Sequence, residues 1–359
     1  MSKKLNPMDA SWLMMETSDT PMHVGGLQIL SLPPNAPADF MQQLYSYLRS
    51  FPVTAAPFNY VLAPNPLGKI GQRYAPAWDE CKNLDIDYHV RHLALPAPGG
   101  ERELGVMVSR LHSIPLAKNR PLWEFNLIEG LENNRFAIYC KAHHSMMDGM
   151  ASIRIMQTML SEDPAKANMV PMWALEKPPR APKFDMAANH NRQAVEQLKD
   201  QYRTLSGAFG SLKALVDSAR KKSHPDLVAP YTGPASILNV PISGQRRFAI
   251  YACPIERMKA LGKAGGGTIN DAVLAVCSGA LRKYLMDLNA LPDKALVANM
   301  PVSIRPKDSD EAGNAITFMM ATLASHIEDP KTRFDLITAS TAAAKEHLQA
   351  MDTAAINNY

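Results

Sequence analysis

A strand-like pattern and a helix-like pattern meet at His143-His144-Ser145-Met146-Met147-Asp148-Gly149. Residues 135–142 send alternate side chains to two faces, and this period of two predicts a β-strand. Residues 123–128 predict its partner strand, and residues 129–134 have the glycine and asparagines of a hairpin turn. After Gly149, apolar residues recur at helical spacing. We therefore expect both histidines at the end of a rigid hairpin, with Gly149 at the sharp turn into a helix.

Three interpretations of the two histidines compete. In the first, both are hydrogen-bonded structural residues, and Asp148 caps the following helix. In the second, His144 and Asp148 bind a metal ion; the sequence has no CxxC, no HExxH and no other clustered set that could add a third ligand, so we predict no metal site. In the third, one neutral imidazole removes a proton from an alcohol or amine near pH 7. The other then orients or packs behind it, because successive strand residues face opposite sides.

The same seven residues resemble the HHxxxDG signature of the CoA-dependent acyltransferase superfamily. Five further elements, in the same order, make the chain similar to the bacterial bifunctional wax ester synthase/diacylglycerol acyltransferases, in particular those of Marinobacter. These elements are residues 5–16 with 21–25, Arg120-Pro121-Leu122-Trp123, Asn239-Val240-Pro241-Ile242-Ser243-Gly244, Asn270-Asp271 and Pro301-Val302-Ser303-Ile304-Arg305. The likeness extends from about residue 5 to the last residues.

The resemblance implies a mixed α/β (α+β) chain with the two-domain fold of chloramphenicol acetyltransferase-like, CoA-dependent acyltransferases. We expect an N-terminal acyltransferase domain at residues 1–180, a Pro-rich linker with a long bridging helix at 181–228, and a C-terminal acyltransferase domain at 229–359. Family members continue well past Tyr359, so the second domain is expected to be incomplete. The linker helix has an apolar stripe and a basic end, which favours either packing between the domains or contact with anionic lipid.

Composition limits the class of protein. The chain has 359 residues, of which 46% are hydrophobic and 20% charged, as in globular proteins, and a formal charge of +4 that is too diffuse to indicate nucleic acid. Its four cysteines lack paired spacing, which favours reduced thiols in a cytosol. The N-terminus has Lys3 and Lys4 but no apolar core, so we expect no secretory signal, and no apolar run approaches the roughly 18–20 residues of a membrane span. We expect a cytoplasmic protein, associated peripherally with the inner membrane face or with lipid inclusions.

The resemblance implies acyl transfer from acyl-CoA, which is a substrate and not a cofactor, to a long-chain fatty alcohol or to diacylglycerol. The products would be a wax ester or a triacylglycerol. We expect Nε2 of His144 to act as the general base in a ternary complex, and the lack of a G-x-S-x-G elbow agrees with the absence of an acyl-enzyme. His143 would pack or hydrogen-bond behind the base, and Asp148 would fix the loop by pairing with an arginine, for which Arg305 is our candidate.

The substrate-binding set expected from the family comprises Gly149, Pro121, Leu122, Trp123, Asn270 and Asp271. Plainer structural roles compete with several of these assignments. Trp123 could lie in the core at the start of a strand, and Asn270 or Thr268 could be the N-cap of a helix. Two other functions also compete, namely a condensation or polyketide-associated acyltransferase with a carrier-bound donor and a non-catalytic lipid-binding module.

Overall fold

The computed structural model describes residues 2–5, 7–147, 149–163, 170–175, 226–229, 231–303 and 316–349. These residues form two compact units. The first contains the described residues up to 175 together with 242–251, and the second contains the others from 226 onward. The mixed α/β class expected from the sequence is confirmed. The domain boundaries stay a prediction, and the expected linker helix lies outside the described residues.

The first unit is built on a four-stranded sheet with the strand order β2–β7–β6–β5. Strand β7 pairs antiparallel with both β2 and β6, whereas β5 runs parallel to β6. The strands of this sheet are β2 (His23–Ser31), β5 (Val90–Ala94), β6 (Trp123–Leu131) and β7 (Arg135–His143). A small sheet with the order β1–β4–β3 is formed by β1 (Lys3–Lys4), β3 (Tyr60–Leu62) and β4 (Ala77–Glu80). The antiparallel pairing of β6 with β7 confirms the hairpin predicted from the sequence.

Helices cover both faces of the four-stranded sheet. The helices described in this unit are α1 (Pro7–Met15), α2 (Phe40–Arg49), α3 (Gly68–Tyr74), α4 (Ile86–His89), α5 (Glu101–Ser113) and α6 (Gly149–Met159). Because side chains alternate along a strand, Phe136 and Ile138 join a cluster with residues of α2 and α6, while Ala137 and Tyr139 pack with residues of α5. His143 is four residues beyond Tyr139 on β7, so both side chains belong to the same face of the sheet.

A buried lysine joins β7 to the end of α5. Nζ of Lys141 donates hydrogen bonds to the carbonyls of Leu111 and Ile114, both at 2.8 Å, and lies 3.2 Å from Oε2 of Glu124. A cation is favourable at a helix C-terminus, where backbone carbonyls lack partners within the helix. Burial lowers the pKa of Lys141, and the carboxylate of Glu124 opposes that shift. This interaction fixes the last turn of α5 against the strand that ends at His143.

Residues 242–251 pack against α5 without forming a strand. Alternating side chains predict a strand at 247–252, and this prediction is wrong, since no strand pairing is found there among the described residues. Instead, the backbone N–H groups of Arg246 and Phe248 donate to the hydroxyls of Ser113 and Ser109, both at 2.8 Å. Helix α5 thus presents side-chain acceptors one turn apart to an extended neighbour.

Among its described residues, the second unit has three α-helices and a two-stranded antiparallel sheet. Its elements are a 3-10 turn (Ile237–Asn239), α7 (Ile255–Ala264), α8 (Ile269–Asp287), β8 (Val297–Ser303), β9 (Ile316–Thr322) and α9 (Pro330–Gln349). The sequence pattern predicts a helix at 268–285, which is confirmed as α8, and a strand at 296–304, which is confirmed as β8 over its described length. Leu285, Leu296 and Leu323 form the buried cluster of this unit.

Candidate active site

The backbone of the two histidines is held by the neighbouring strands. His143 is the last residue of β7, and its N–H donates to the carbonyl of Leu122 at 3.0 Å. His144 is the first residue after the strand, and its N–H donates to the carbonyl of Met22 at 2.9 Å. Leu122 directly precedes β6 and Met22 directly precedes β2. Both histidines are therefore fixed at one edge of the sheet, as the hairpin pattern predicts.

The imidazole of His143 is completely buried, with 0% of the residue exposed. Its Nδ1 accepts a hydrogen bond from the N–H of Ser145 at 3.1 Å and lies 2.7 Å from the Ser145 hydroxyl oxygen. A backbone N–H can only donate, so we infer that Nδ1 carries the lone pair and that the ring proton is on Nε2. Nε2 lies 3.4 Å from Oε1 of Glu16. The ring thus turns its proton toward a carboxylate.

Glu16 is a buried anion at the end of α1. Only 8% of the residue is exposed. Its Oε1 accepts the N–H of Met22 at 3.2 Å, and its Oε2 lies 2.6 Å from Nζ of Lys118. Burial alone would raise the pKa of Glu16, but the contacts with His143 and Lys118 outweigh burial and lower the pKa to about 2. Glu16 is therefore ionised throughout the physiological pH range.

Sequence reasoning did not assign Glu16 to the site. It was part of the N-terminal signature, with no role of its own. The available signal was a single carboxylate closing the apolar run of residues 12–15. Such a residue is costly to bury unless it is paired, and its pairing indicates either a structural or a site role.

His144 lies in different surroundings, since its side chain is partly exposed. Its ring stacks on the indole of Trp12, with the ring centroids 4.4 Å apart and the planes at 15°. The N–H of Glu16 donates to the carbonyl of Trp12 at 3.2 Å, so the helical turn of α1 continues to Glu16. Residues four apart share one face of a helix. One face of α1 therefore contacts both histidines, Trp12 through His144 and Glu16 through His143.

A layer of uncharged histidines lies behind the site. His23 is directly opposite His143 in the β2–β7 register, and its Nε2 donates to the carbonyl of His112 at 2.8 Å. Nδ1 of His112 lies 2.7 Å from the hydroxyl of Tyr139. Burial lowers the pKa of His23 to about 4 and also lowers the pKa of His112. Gly25 makes room for this layer, because a Cβ there would lie only 2.5 Å from the Tyr139 hydroxyl oxygen.

Gly149 begins α6 and has open space around it. A Cβ at this position would meet no atom within 4 Å, and Gly149 is not among the glycines with a positive φ. The described chain turns at residues 144–146, and residue 148 lies outside the described residues, so the expected sharp turn at Gly149 stays a prediction. Asp148 and its candidate partner Arg305 lie outside the described residues. The assignment of both stays a prediction.

Pro121, Leu122 and Trp123 are buried in the core. The indole of Trp123 stacks on that of Trp173, with the ring centroids 5.3 Å apart and the planes at 19°. The carbonyl of Leu122 accepts the N–H of His143, as described above. In this structure the three residues support the strand end that carries the histidines. Their predicted part in lining an acyl tunnel stays a prediction.

Asn270 and Asp271 lie in the first turn of α8, in the second unit. Thr268 is the N-cap, and Oδ2 of Asp271 accepts the N–H of Thr268 at 2.7 Å in a capping box. Oδ1 of Asp271 accepts the hydroxyl of Thr341 on α9 at 2.6 Å. Burial would raise the pKa of Asp271, but these hydrogen bonds lower it below its ordinary value. Asn270 is exposed. Their assignment to substrate binding stays a prediction, whereas the carboxylate of Asp271 has a clear structural use.

In the part of the chain that the structure describes, no three His, Cys, Asp or Glu side chains are grouped as a metal site requires. None of the helices in these ranges is both long and apolar enough to cross a bilayer.

The sequence matches two family descriptions. Residues 5–273 match the wax ester synthase/diacylglycerol acyltransferase catalytic domain, and residues 312–359 match the C-terminal domain of the same family. The chain is 40% identical to the O-acyltransferase WSD of Acinetobacter baylyi, over 99% of this chain and 75% of that protein. It is 37% identical to a probable diacylglycerol O-acyltransferase of Mycobacterium tuberculosis, over 95% of this chain and 73% of that protein.

Solved structures show the same likeness. The structure is similar to the wax ester synthase/diacylglycerol acyltransferase from Marinobacter aquaeolei, with a TM-score of 0.75 and 36% identity, over 99% of this chain and 74% of that one. It is also similar to the first condensation domain of the CDA synthetase, with a TM-score of 0.54 over 97% of this chain and 75% of that one. The latter pair is only 15% identical, so that likeness concerns the fold alone.

Proposed function

Because the chain belongs to the wax ester synthase/diacylglycerol acyltransferase family and is an O-acyltransferase, we propose that His144 is its general base for acyl transfer from acyl-CoA to a long-chain alcohol or to diacylglycerol. One observation carries this proposal. Of the two adjacent imidazoles, His143 is sealed, with Nδ1 hydrogen-bonded to Ser145 and Nε2 3.4 Å from Glu16, whereas His144 is partly exposed on a rigid strand end. A base must be reachable by the hydroxyl whose proton it removes.

The reaction follows from that placement. Nε2 of His144 takes the hydroxyl proton as the alcohol oxygen forms a bond to the thioester carbonyl carbon. The carbon–sulfur bond then breaks, and the imidazolium returns the proton to the departing CoA thiolate. General base catalysis of this kind contributes typically ~10²–10⁴-fold to the rate. The remaining acceleration comes from holding both substrates in place and from stabilising the oxyanion.

Helix α1 supplies two positioning residues for this base. The indole of Trp12 fixes the plane of the His144 ring by stacking, and an aromatic face also favours the cationic ring formed during the reaction. Glu16 holds the proton-bearing Nε2 of His143 and so fixes the residue that precedes the base. His143 therefore acts behind the base rather than on the substrate.

The substrates and the location follow from the chemistry of the family. Acyl-CoA is the soluble donor, and the acceptors are lipids that gather in membranes and lipid droplets. The protein would therefore act in the cytoplasm, bound peripherally to the inner membrane face or to lipid inclusions. For the alternative of an acyltransferase with a carrier-bound donor, the support is a likeness of fold alone. Intact, ordered histidines count against a lipid-binding module without activity.

The test is thioester consumption with palmitoyl-CoA and hexadecanol. We expect His144→Ala to lower kcat at least 100-fold while the far-UV circular dichroism and the thermal midpoint stay unchanged, because the ring is partly exposed and leaves no sealed cavity. His326→Ala, which removes an exposed imidazole in the second unit, is the matched control and should keep full activity. Normal turnover by His144→Ala would refute the assignment of the base.

A further inference from the structure

An unusual apolar surface projects from the first unit between β3 and β4. We name residues 64–75 the α3 tip. Its three large apolar side chains are strongly exposed, with Leu67 at 74%, Ile70 at 69% and Tyr74 at 61%. Their spacing of three and four residues places Ile70 and Tyr74 on one face of α3, with Leu67 at its start. Side chains of this type are normally turned inward, so an outward cluster indicates a binding surface.

The α3 tip is an ordered element and not a frayed loop. Both Nε and Nη2 of Arg73 donate to the carbonyl of Met14, at 2.9 and 2.6 Å. The side chain of Gln72 donates to the carbonyl of Ala63 at 3.0 Å, and Oδ1 of Asn65 accepts the N–H of Leu67 at 3.0 Å. The apolar side chains are therefore held outward by a hydrogen-bonded base. Their exposure is a property of the folded unit.

The charged residues of the α3 tip all have one sign. Lys69 and Arg73 are exposed, and residues 64–75 contain no aspartate or glutamate. Lys4 is exposed as well, and it pairs with Ala77, two residues beyond the tip. Apolar side chains flanked by cations match the boundary of a bilayer, where acyl chains lie beneath anionic headgroups.

The size of the α3 tip also selects a lipid surface over a protein partner. A stable protein interface buries about 800 Å² on each side, contributed by some 20–30 residues. A seven-residue helix and its N-cap residue, which together carry the three exposed apolar side chains, are far smaller. Insertion to the roughly 5–10 Å depth of the headgroup boundary needs only a few such side chains.

We propose that the α3 tip is the surface by which this protein binds anionic membranes, with Leu67, Ile70 and Tyr74 inserted among the lipids and with Lys69 and Arg73 beside the lipid phosphates. The proposal rests on the proposed function in one respect, that the acceptors reside in lipid. The tip is bonded through Arg73 to α1, and α1 carries Trp12 against His144. The lipid surface is therefore hydrogen-bonded to the helix that also contacts the base.

The experiment is vesicle flotation with the full chain. Vesicles of phosphatidylcholine containing about one third phosphatidylglycerol are compared with vesicles of phosphatidylcholine alone. We expect the unaltered protein to float with the anionic vesicles, and the double variant Leu67→Ser/Ile70→Ser to partition at least tenfold less. Lys69→Glu should reduce partitioning to the anionic vesicles only. Val106→Ser, which changes another exposed apolar residue of the first unit, is the control and should float normally.

Activity separates this proposal from the proposed function. The double variant should keep turnover of palmitoyl-CoA with a water-dispersed medium-chain alcohol, and it should lose turnover of hexadecanol supplied in anionic vesicles. Flotation of the double variant equal to that of the unaltered protein overturns the proposal, whatever the activity. A protein that floats through its tip but consumes no thioester with any acceptor would leave the surface supported and the proposed function refuted.

Discussion

The substitution Glu16→Gln tests whether the buried carboxylate at the end of α1 positions the histidines. Glutamine has nearly the same shape, and its amide oxygen can still accept the N–H of Met22. The change removes the negative charge that faces Nε2 of His143 and Nζ of Lys118. It therefore isolates the electrostatic part of the interaction from the packing of α1.

The magnitude follows from the pKa of Glu16. Burial would raise this pKa, but the contacts with His143 and Lys118 lower it to about 2 from an ordinary value of 4.5. At 1.36 kcal/mol for each pKa unit, the folded state favours the ionised carboxylate by roughly 3 kcal/mol. Because the folded pKa lies below the unfolded one, this contribution is complete above about pH 4.5 and is lost as the pH falls toward 2.

Urea denaturation followed by tryptophan fluorescence measures the stability effect. At pH 7, Glu16→Gln should lower the free energy of unfolding by up to about 3 kcal/mol. The difference from the unaltered protein should shrink as the pH falls below 4.5. The exposed residue Glu80 offers the matched control, and Glu80→Gln should change the free energy of unfolding by less than about 0.5 kcal/mol at pH 7.

Kinetics then separate positioning from stability. Glu16→Gln should lower kcat at least tenfold, with little change in KM for acyl-CoA, because the base is misplaced while the donor site is intact. Lys118→Met keeps the carboxylate beside His143 and should retain most of kcat. The reasoning fails if Glu16→Gln has normal kcat in its folded fraction, or if its stability deficit is as large at pH 3.5 as at pH 7.

Two more predictions concern neighbours of the base. Burial holds the pKa of His23 at about 4, below its ordinary 6.5, so the folded state resists protonation. The free energy of unfolding should therefore fall as the pH drops from 6.5 toward 4, by roughly 3 kcal/mol for this group. His23→Gln should make the urea midpoint depend less on pH between those values, and an unchanged pH dependence would contradict the role given to burial. Gly149→Ala should raise the stability of α6 by less than about 1 kcal/mol, the value for a helix interior, because a Cβ there meets nothing and alanine is the better helix former but Gly149 is only the first helical residue. Loss of activity in the same variant would indicate that the substrate lies close to Gly149. Normal activity would contradict the predicted substrate contact.

Local sequence patterns predicted a large part of the fold. Alternation over residues 135–142 predicted β7, and the glycine and asparagines after 128 predicted its turn. The apolar spacing after Thr268 predicted α8, and Thr268 is the cap of that helix. These features depend on neighbours within a few positions, where backbone propensity and side-chain period act directly. The alternation at 247–252 failed for the same reason, since it contains no information on whether a partner strand is within reach.

The sequence by itself also determined the family and the pair of histidines, because motif residues and their order are visible without any coordinates. It did not determine which histidine is sealed, since burial depends on what packs above the strand end. The pairing of Glu16 with His143, the stacking of Trp12 on His144 and the outward face of Leu67, Ile70 and Tyr74 were decided by tertiary structure alone. The two ring and ion-pair contacts join side chains far apart in the chain, and the exposure of the third group depends on what the rest of the unit packs against α3. Both the pKa of a carboxylate and the exposure of an apolar surface take their values from that packing.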